Sequence, residues 1–319
     1  MDRQDLVKKA YNRVSSLSIS NPEYQKRVLA FTEALVEEDI GNFGDITSDS
    51  VFEDLNPQTS ARLIAKDSGI CAGLEEAAWF YRRHEIEVIL SIDDGQKISE
   101  GEEILTLRGS CKDLLRTERM GLNLIQRMSG IATLTNELVQ KIDRHELQVA
   151  ATRKTPWGSL DKKAVAVGKG VTHRLGLWDF ILIKENHLTV LKQNGFSHDY
   201  IEVALKRAVH SNKTSIVEIE VQNQQEAASA AEAIQNFSTG KEQIFIIMLD
   251  NFSPAEIKDT LGMIGIKSDS KKILFEASGN ITPENINQYA EAGVDVVSMG
   301  YLTHSPAAFD ISQLHAYGK

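Results

Sequence analysis

The sequence predicts an α/β protein whose second half is a parallel βα barrel and whose first half is a smaller α+β unit. Six short apolar runs in the second half each end in a polar or charged residue, or a glycine, and a turn. They are 148–152 before Arg153-Lys154, 180–183 before Lys184, 216–219 before Glu220, 244–249 before Asp250, 273–277 before Ser278-Gly279, and 294–299 before Gly300. Most gaps between them hold an amphipathic stretch of helical length, the alternation of a βα barrel, where chemistry collects at the carboxyl ends of the strands. The first half lacks that alternation. Cations end the early strands and carboxylates the later ones, which suits a multiply anionic substrate and a metal-bound phosphate.

The elements follow in order. Tyr24–Glu38 repeats apolar residues at helical spacing, and the preceding Asn21-Pro22 supplies a cap and a first-turn proline. Ala61–Ala65 reads as a strand, Asp93-Asp94-Gly95 as a turn between two more, and Ser99–Glu102 as another turn. Asp113–Ile142 is helical, with Ser129-Gly130 expected to break it in two. The domain boundary is placed at that break: residues 1–127 form the first domain, 128–302 the barrel, and 303–319 pack back on the first.

A chain of 319 residues holds two domains and a sizeable core. Its formal net charge of −10 argues against nucleic-acid binding. No apolar run approaches the ~20 residues of a membrane span, and residues 1–5 lack the apolar core of a secretion signal. Cys71 and Cys111 lack metal-ligand spacing, so reduced thiols in the cytoplasm are expected. Residues 150–190 carry seven Lys/Arg against three acids, a net of +4, leaving −14 for the rest. This basic island reads as an anion site, although Lys162-Lys163 also fit an ordinary solvated helix face. Dinucleotide, P-loop, HExxH and GxSxG motifs are absent.

The candidate residues stand at the strand ends. Arg153, Lys154, His173, Arg174 and Lys184 are expected to converge on one barrel mouth. Arginine grips planar carboxylates through paired hydrogen bonds, and lysine serves phosphate as a point charge. Their plain structural alternative is pairing with Asp161, Asp179 and Glu185. Glu220 and Asp250 end neighbouring strands and suit Mg²⁺, directly or through water, or ribose hydroxyls. Glu218 points the same way as Glu220, but the strand-end position favours Glu220. Ser278, Gly279 and Gly300 suit backbone contact with a phosphate, and also fit turn chemistry.

Several stretches resemble the quinolinate phosphoribosyltransferase family. They are Gly44–Thr47, Glu118-Arg119 with Gly121–Asn123, Ser129–Thr133, Thr152–Thr155, His173-Arg174, Ile183–His187, Met248–Asn251 and Glu276–Gly279. Each is weak alone; the ordered set covers nearly the whole chain. The resemblance implies an N-terminal α/β sandwich domain plus an incomplete TIM-like α/β barrel, assembled as a homodimer or a hexamer of dimers. It implies reaction of quinolinate with phosphoribosyl pyrophosphate and Mg²⁺, giving nicotinate mononucleotide, pyrophosphate and CO₂. Arg153, His173, Arg174 and Lys184 would bind the quinolinate carboxylates, with Arg119 joining from the adjacent subunit. Lys154, Glu220 and Asp250 would serve phosphoribosyl pyrophosphate and its Mg²⁺, with Ser278, Gly279 and Gly300 near the 5′-phosphate.

The chain departs from the family pattern at Lys169 between two glycines, at Thr172 before His-Arg, at Glu185, in the Pro156–Leu160 loop, and in extra residues around 236–243. These bear on the carboxylate pocket and so on the pyridine substrate. The alternatives are a nicotinate phosphoribosyltransferase on the same scaffold, a molybdenum-locus relative of the same fold, and a non-catalytic barrel that senses phosphosugars.

Overall fold

The structure, a computed structural model, describes residues 2–90, 92–142, 146–237, 243–265 and 273–316. It divides into two compact units.

The first unit comprises Met1–Arg13, Glu137–Thr155 and Gly170–His304. Its sheet has six parallel strands in the order Gln148–Ala150, Val296–Ser298, Ile273–Ser278, Ile244–Asp250, Ile216–Val221 and Ile181–Ile183. Each run read from the sequence is one of these strands. Helices Glu185–Gln193, Tyr200–His210, Gln224–Gln235, Pro254–Ile264 and Ile286–Ala292 lie between them in the chain. The strand Ile244–Asp250 is buried along almost its whole length, as expected of a parallel strand covered on both faces. Beyond the sheet edge, Val171 makes one parallel bridge to Ala150. The architecture is the expected incomplete α/β barrel.

The amino-terminal helix Arg3–Tyr11 belongs to this unit, not to the first domain in which the sequence division placed it. The reason is its apolar stripe. Leu6, Val7, Ala10 and Tyr11 form one buried cluster with Ala150, Val171, Phe180, Ile216, Ile244, Ile246, Leu274 and Val296. Each large side chain so buried contributes about 1.5–3 kcal/mol over exposure. Arg3 adds a bond of 2.8 Å to Asp295, which also accepts the Phe275 amide.

The second unit comprises Val14–Asn136, Pro156–Lys169 and the chain from Ser305 onward. Its antiparallel sheet runs Ile311–Ala316, Gln58–Ala65, Glu103–Ser110, Glu87–Leu90. The helix Pro22–Ile40 starts as expected, with the Asn21 side chain accepting from the Glu23 amide.

Two expectations fail here. Ser129-Gly130 does not break the long helix, which runs unbroken from Cys111 to Lys141. The glycine serves packing instead: a Cβ on Gly130 would lie 2.0 Å from the Ala307 carbonyl oxygen. Ser129 likewise accepts the Ala72 amide at 2.9 Å. Lys162 and Lys163 are no solvated face. Both are buried, and the Lys163 ammonium pairs with Glu75 and Glu76. The expected surface loop around 236–243 lies largely outside the described residues.

Candidate active site

Side chains alternate between the two faces of a strand. On Ile216–Val221 this sets Ile216, Glu218 and Glu220 on one face and Val217, Ile219 and Val221 on the other. The same alternation groups Ile244, Ile246, Met248 and Asp250, then Leu274, Glu276 and Ser278, then Val296 and Ser298. The amino-terminal members of these rows belong to the apolar cluster with the first helix. Glu218 and Glu276 come next and are fully buried. At the carboxyl ends, Glu220, Met248, Asp250 and Ser278 line a cavity of about 640 Å³, a volume ordinary for a small-molecule site.

Thr152, Arg153, Lys154, His173, Arg174, Lys184, Gly279 and Gly300 also line it. Ten of the eleven residues singled out in the sequence therefore meet at one cavity. Arg119 does not. It borders a separate recess of the second unit with Arg116, Glu38 and Asp39, and pairs with Glu118 at 3.8 Å.

Local bonds hold the rim. The Thr152 hydroxyl accepts the Lys154 amide at 3.1 Å, and the Thr303 hydroxyl donates to the Lys154 carbonyl at 2.8 Å. Lys184 caps the helix that follows, where its own amide donates to His187 Nδ1 at 2.9 Å. Gly279 has φ +88°, and a Cβ there would strike the Asn251 amide oxygen at 2.2 Å. Glycine thus lets the Ser278–Asn280 turn pass against Asn251, which itself sits at φ +60°.

Two of the three expected competitors for the cations are engaged elsewhere. Asp161 takes Arg127 through two bonds of 2.8 and 2.9 Å, and Asp179 takes Arg13 at 3.0 Å. Among the described residues, Arg153 and Lys154 have no carboxylate partner. Lys184 pairs with Glu220 at 3.4 Å. Asp250 accepts from the Gln222 and Asn251 side-chain amides at 3.1 and 2.8 Å. Four basic side chains against two carboxylates leave the cavity positive.

His173 lines the cavity from a buried position. Its Nε2 lies 3.2 Å from Glu276 and 3.5 Å from Glu218, while Nδ1 accepts the Arg174 amide at 2.8 Å. Both ring nitrogens are taken up within the protein, so the ring borders the cavity without offering it a nitrogen. Burial lowers its basicity, but the charges of Glu276 and Glu218 outweigh burial and raise it to about 9. The Arg174 amide donates to Nδ1, which leaves Nε2 as the ring N–H that faces the carboxylates. Burial, and then the Glu276 charge, raise Glu218 to about 7. Burial also pushes Glu276 up, but His173, Ser298 and Tyr11 together bring it below the usual range. Arg174 is lowered by burial and by Arg153 nearby, though a guanidinium remains charged.

The Glu218–His173–Glu276 cluster was not read from the sequence. Its signal was present: an acid inside each of two otherwise apolar strands, Ile-Val-Glu-Ile and Leu-Phe-Glu-Ala, where charge is rarely buried unless paired. Asn251, Asn280, Tyr301 and His304 also line the cavity beyond the expected set.

The C-terminal domain family of quinolinate phosphoribosyl transferase matches residues 131–313, and its N-terminal domain family matches residues 45–129. A probable nicotinate-nucleotide pyrophosphorylase (carboxylating) of Methanothermobacter thermautotrophicus is 38% identical over 283 residues, spanning 87% of this chain and 95% of that protein. A mitochondrial quinolinate phosphoribosyltransferase (decarboxylating) of Nicotiana tabacum is 33% identical over 310 residues, 94% of this chain and 86% of its own. The solved nicotinate-nucleotide pyrophosphorylase of Francisella tularensis superposes with a TM-score of 0.77 at 32% identity, covering 91% of this chain and 96% of that one.

Proposed function

This chain belongs to the quinolinate phosphoribosyl transferase family, and we infer from that membership what its cavity does. The enzyme is a pentosyltransferase. It transfers phosphoribosyl from phosphoribosyl pyrophosphate to quinolinate with decarboxylation, giving nicotinate mononucleotide, pyrophosphate and CO₂ in NAD biosynthesis. The observation that supports this best is the convergence of Arg153, Lys154, Arg174 and Lys184 with Glu220 and Asp250 at one cavity.

The residue roles follow from charge and reach. Arg153, Arg174 and Lys184 hold the two adjacent carboxylates of quinolinate through fixed positive charge and paired hydrogen bonds. Lys154 and the backbone at Ser278, Gly279 and Gly300 take the phosphates. Glu220 and Asp250 orient the ribose hydroxyls and stabilise the cationic sugar. The ring nitrogen's lone pair forms the bond to the anomeric carbon while the carbon–oxygen bond to pyrophosphate breaks and its electrons leave with pyrophosphate. The positive ring nitrogen then stabilises the electron pair left at C2 when CO₂ departs, and a proton takes its place. No protein nucleophile is required. Positioning and fixed charge carry the acceleration.

Glu220 and Asp250 suit Mg²⁺, which is usually held by one or two carboxylates together with substrate phosphates and water. When bound, Mg²⁺ would neutralise charge on the departing pyrophosphate. The carboxylates are polar-bonded and open to the cavity rather than locked in a closed cage, which fits such a shared ion.

Arg119 fits a role across copies, in a homodimer or hexamer of dimers. Mixing impaired Arg119→Ala and Arg153→Ala subunits would then restore part of the activity, and no recovery would remove the exchange. No helix among the described residues is long and apolar enough to cross a membrane. The two unpaired thiols suit a reducing compartment, and the cytoplasm is the proposed place.

The deciding experiment supplies phosphoribosyl pyrophosphate with quinolinate or with nicotinate. Pyrophosphate and CO₂ released together from quinolinate are expected. Nucleotide formed from nicotinate alone, without CO₂, would overturn the dicarboxylate assignment.

A further inference from the structure

We propose that Glu218, His173 and Glu276 form a buried positioning cluster that sets the direction of Arg174, and through it the grip on one substrate carboxylate. The proposal rests on the quinolinate reading above.

The starting point is a misfit. Both carboxylates are fully buried on rows whose other deep members are Ile216, Ile244, Ile246, Leu274 and Val296. The Tyr11 and Ser298 hydroxyls lie beside Glu276, yet no oxygen of either glutamate completes a direct hydrogen bond. Such burial opposes folding, and an apolar pair would pack there with less cost. Something other than stability accounts for the acids.

His173 supplies the connection. Its backbone stands at φ +54°, a left-handed conformation unfavourable for a residue with a β-carbon. Its ring is gripped at both ends: the carboxylates face Nε2, and Nδ1 accepts the amide of Arg174. Tyr11 packs edge-on against it at 5.3 Å, and Phe180 stacks at 5.4 Å. The ring therefore cannot turn unless the carboxylates release it. Arg174 follows immediately in the chain and lines the cavity. Its guanidinium reaches the Phe180 carbonyl at 3.4 Å. The path runs from buried carboxylates to ring, from ring to amide, and from amide to the side chain that meets substrate.

The three side chains bring their ligand atoms within 4.8 Å of one another, the spacing of a metal site. The hydrogen bond at Nδ1 argues against one. A neutral imidazole whose Nδ1 accepts a hydrogen bond carries its own proton on Nε2, the nitrogen a metal would need. The Nε2 proton faces the two carboxylates where an ion would sit.

The test separates substrate arms. Glu218→Leu and Glu276→Leu should each raise the KM for quinolinate about tenfold or more, as displacement of a substrate-binding group does. The KM for phosphoribosyl pyrophosphate should move by less than about twofold. Glu218→Gln keeps an acceptor for Nε2–H and should recover most of the loss. If the leucine variants do not fold, His173→Asn decides by the same comparison, since asparagine tolerates positive φ but cannot reach the carboxylates. Unchanged quinolinate KM in folded variants overturns the proposal, as does a parallel rise for both substrates. Failure of the wild-type enzyme to consume quinolinate would instead overturn the reading beneath it.

Discussion

Lys184 Nζ lies 3.4 Å from Glu220 Oε2, a bond between the ends of two adjacent parallel strands. The lysine is about half exposed, at 48%, so water and salt screen the pair and its worth is about 0.2–1 kcal/mol. An anionic ligand can therefore draw Lys184 away at little cost, leaving Glu220 free for the sugar. Glu220→Gln should lower kcat by about a hundredfold, the scale of one lost transition-state contact, with quinolinate KM within about twofold. Steady-state kinetics checks this. A large quinolinate effect with intact kcat would assign Glu220 to the lysine alone.

Arg153 has no carboxylate partner among the described residues, so its charge is available to ligand. Arg153→Ala should raise quinolinate KM and lower kcat, together about a hundredfold in kcat/KM, as loss of a charge-assisted bond predicts. Binding of phosphoribosyl pyrophosphate should change little. Titration of each substrate separately provides the measurement, and normal quinolinate kinetics would remove Arg153 from the pocket.

Asp250 is bonded to two side-chain amides and, among the described residues, to no cation, which leaves its charge for a divalent ion. Asp250→Asn should raise the Mg²⁺ needed for half-maximal turnover about tenfold, as weakening of one carboxylate ligand does. Chelator should abolish turnover in both proteins. Unchanged metal dependence in the variant would contradict this role.

Asp94 accepts the Leu74 amide at 2.9 Å, at a helix start where Gly73 supplies no side-chain cap. Burial, and then the charge of Glu76, raise its carboxyl to about 6. A raised acid binds its proton more tightly in the folded state, so folding weakens as pH rises from about 4 through 6. Asp94→Asn keeps the acceptor and removes the charge. It should stabilise the protein by on the order of 1 kcal/mol above pH 6, and by nothing below pH 4. Urea unfolding at pH 4 and pH 8 tests this; equal gains at both would point to packing instead.

The strand ends were legible because local pattern determines them. A run such as 244–249 is too apolar for anything but a covered strand, and Asp250 stops it. The same pattern named ten residues that meet at one cavity. For His173 local pattern shows a basic residue beside Arg174 but not the carboxylates it faces. Those partners lie 45 and 103 positions away in the chain, and nothing near it announces them. Lys163 is similar, since its charge is matched by Glu75 and Glu76 on a helix far back in the sequence. At Gly130 a local rule was overridden outright: helix propensity disfavours glycine by about 1 kcal/mol, but the Ala307 backbone leaves no space for a β-carbon.

Sequence alone determined the barrel class, the order of its strands in the chain, and the charges available at their ends, because alternation and turn chemistry act over a few residues. Only the folded structure decided which charges face a ligand and which neutralise one another. Glu218 and Glu220 are two positions apart on one face of one strand, yet the first is buried against His173 and the second borders the cavity. Depth within the barrel separates them, and depth is set by the neighbouring strands and by the helix Arg3–Tyr11 packed beneath.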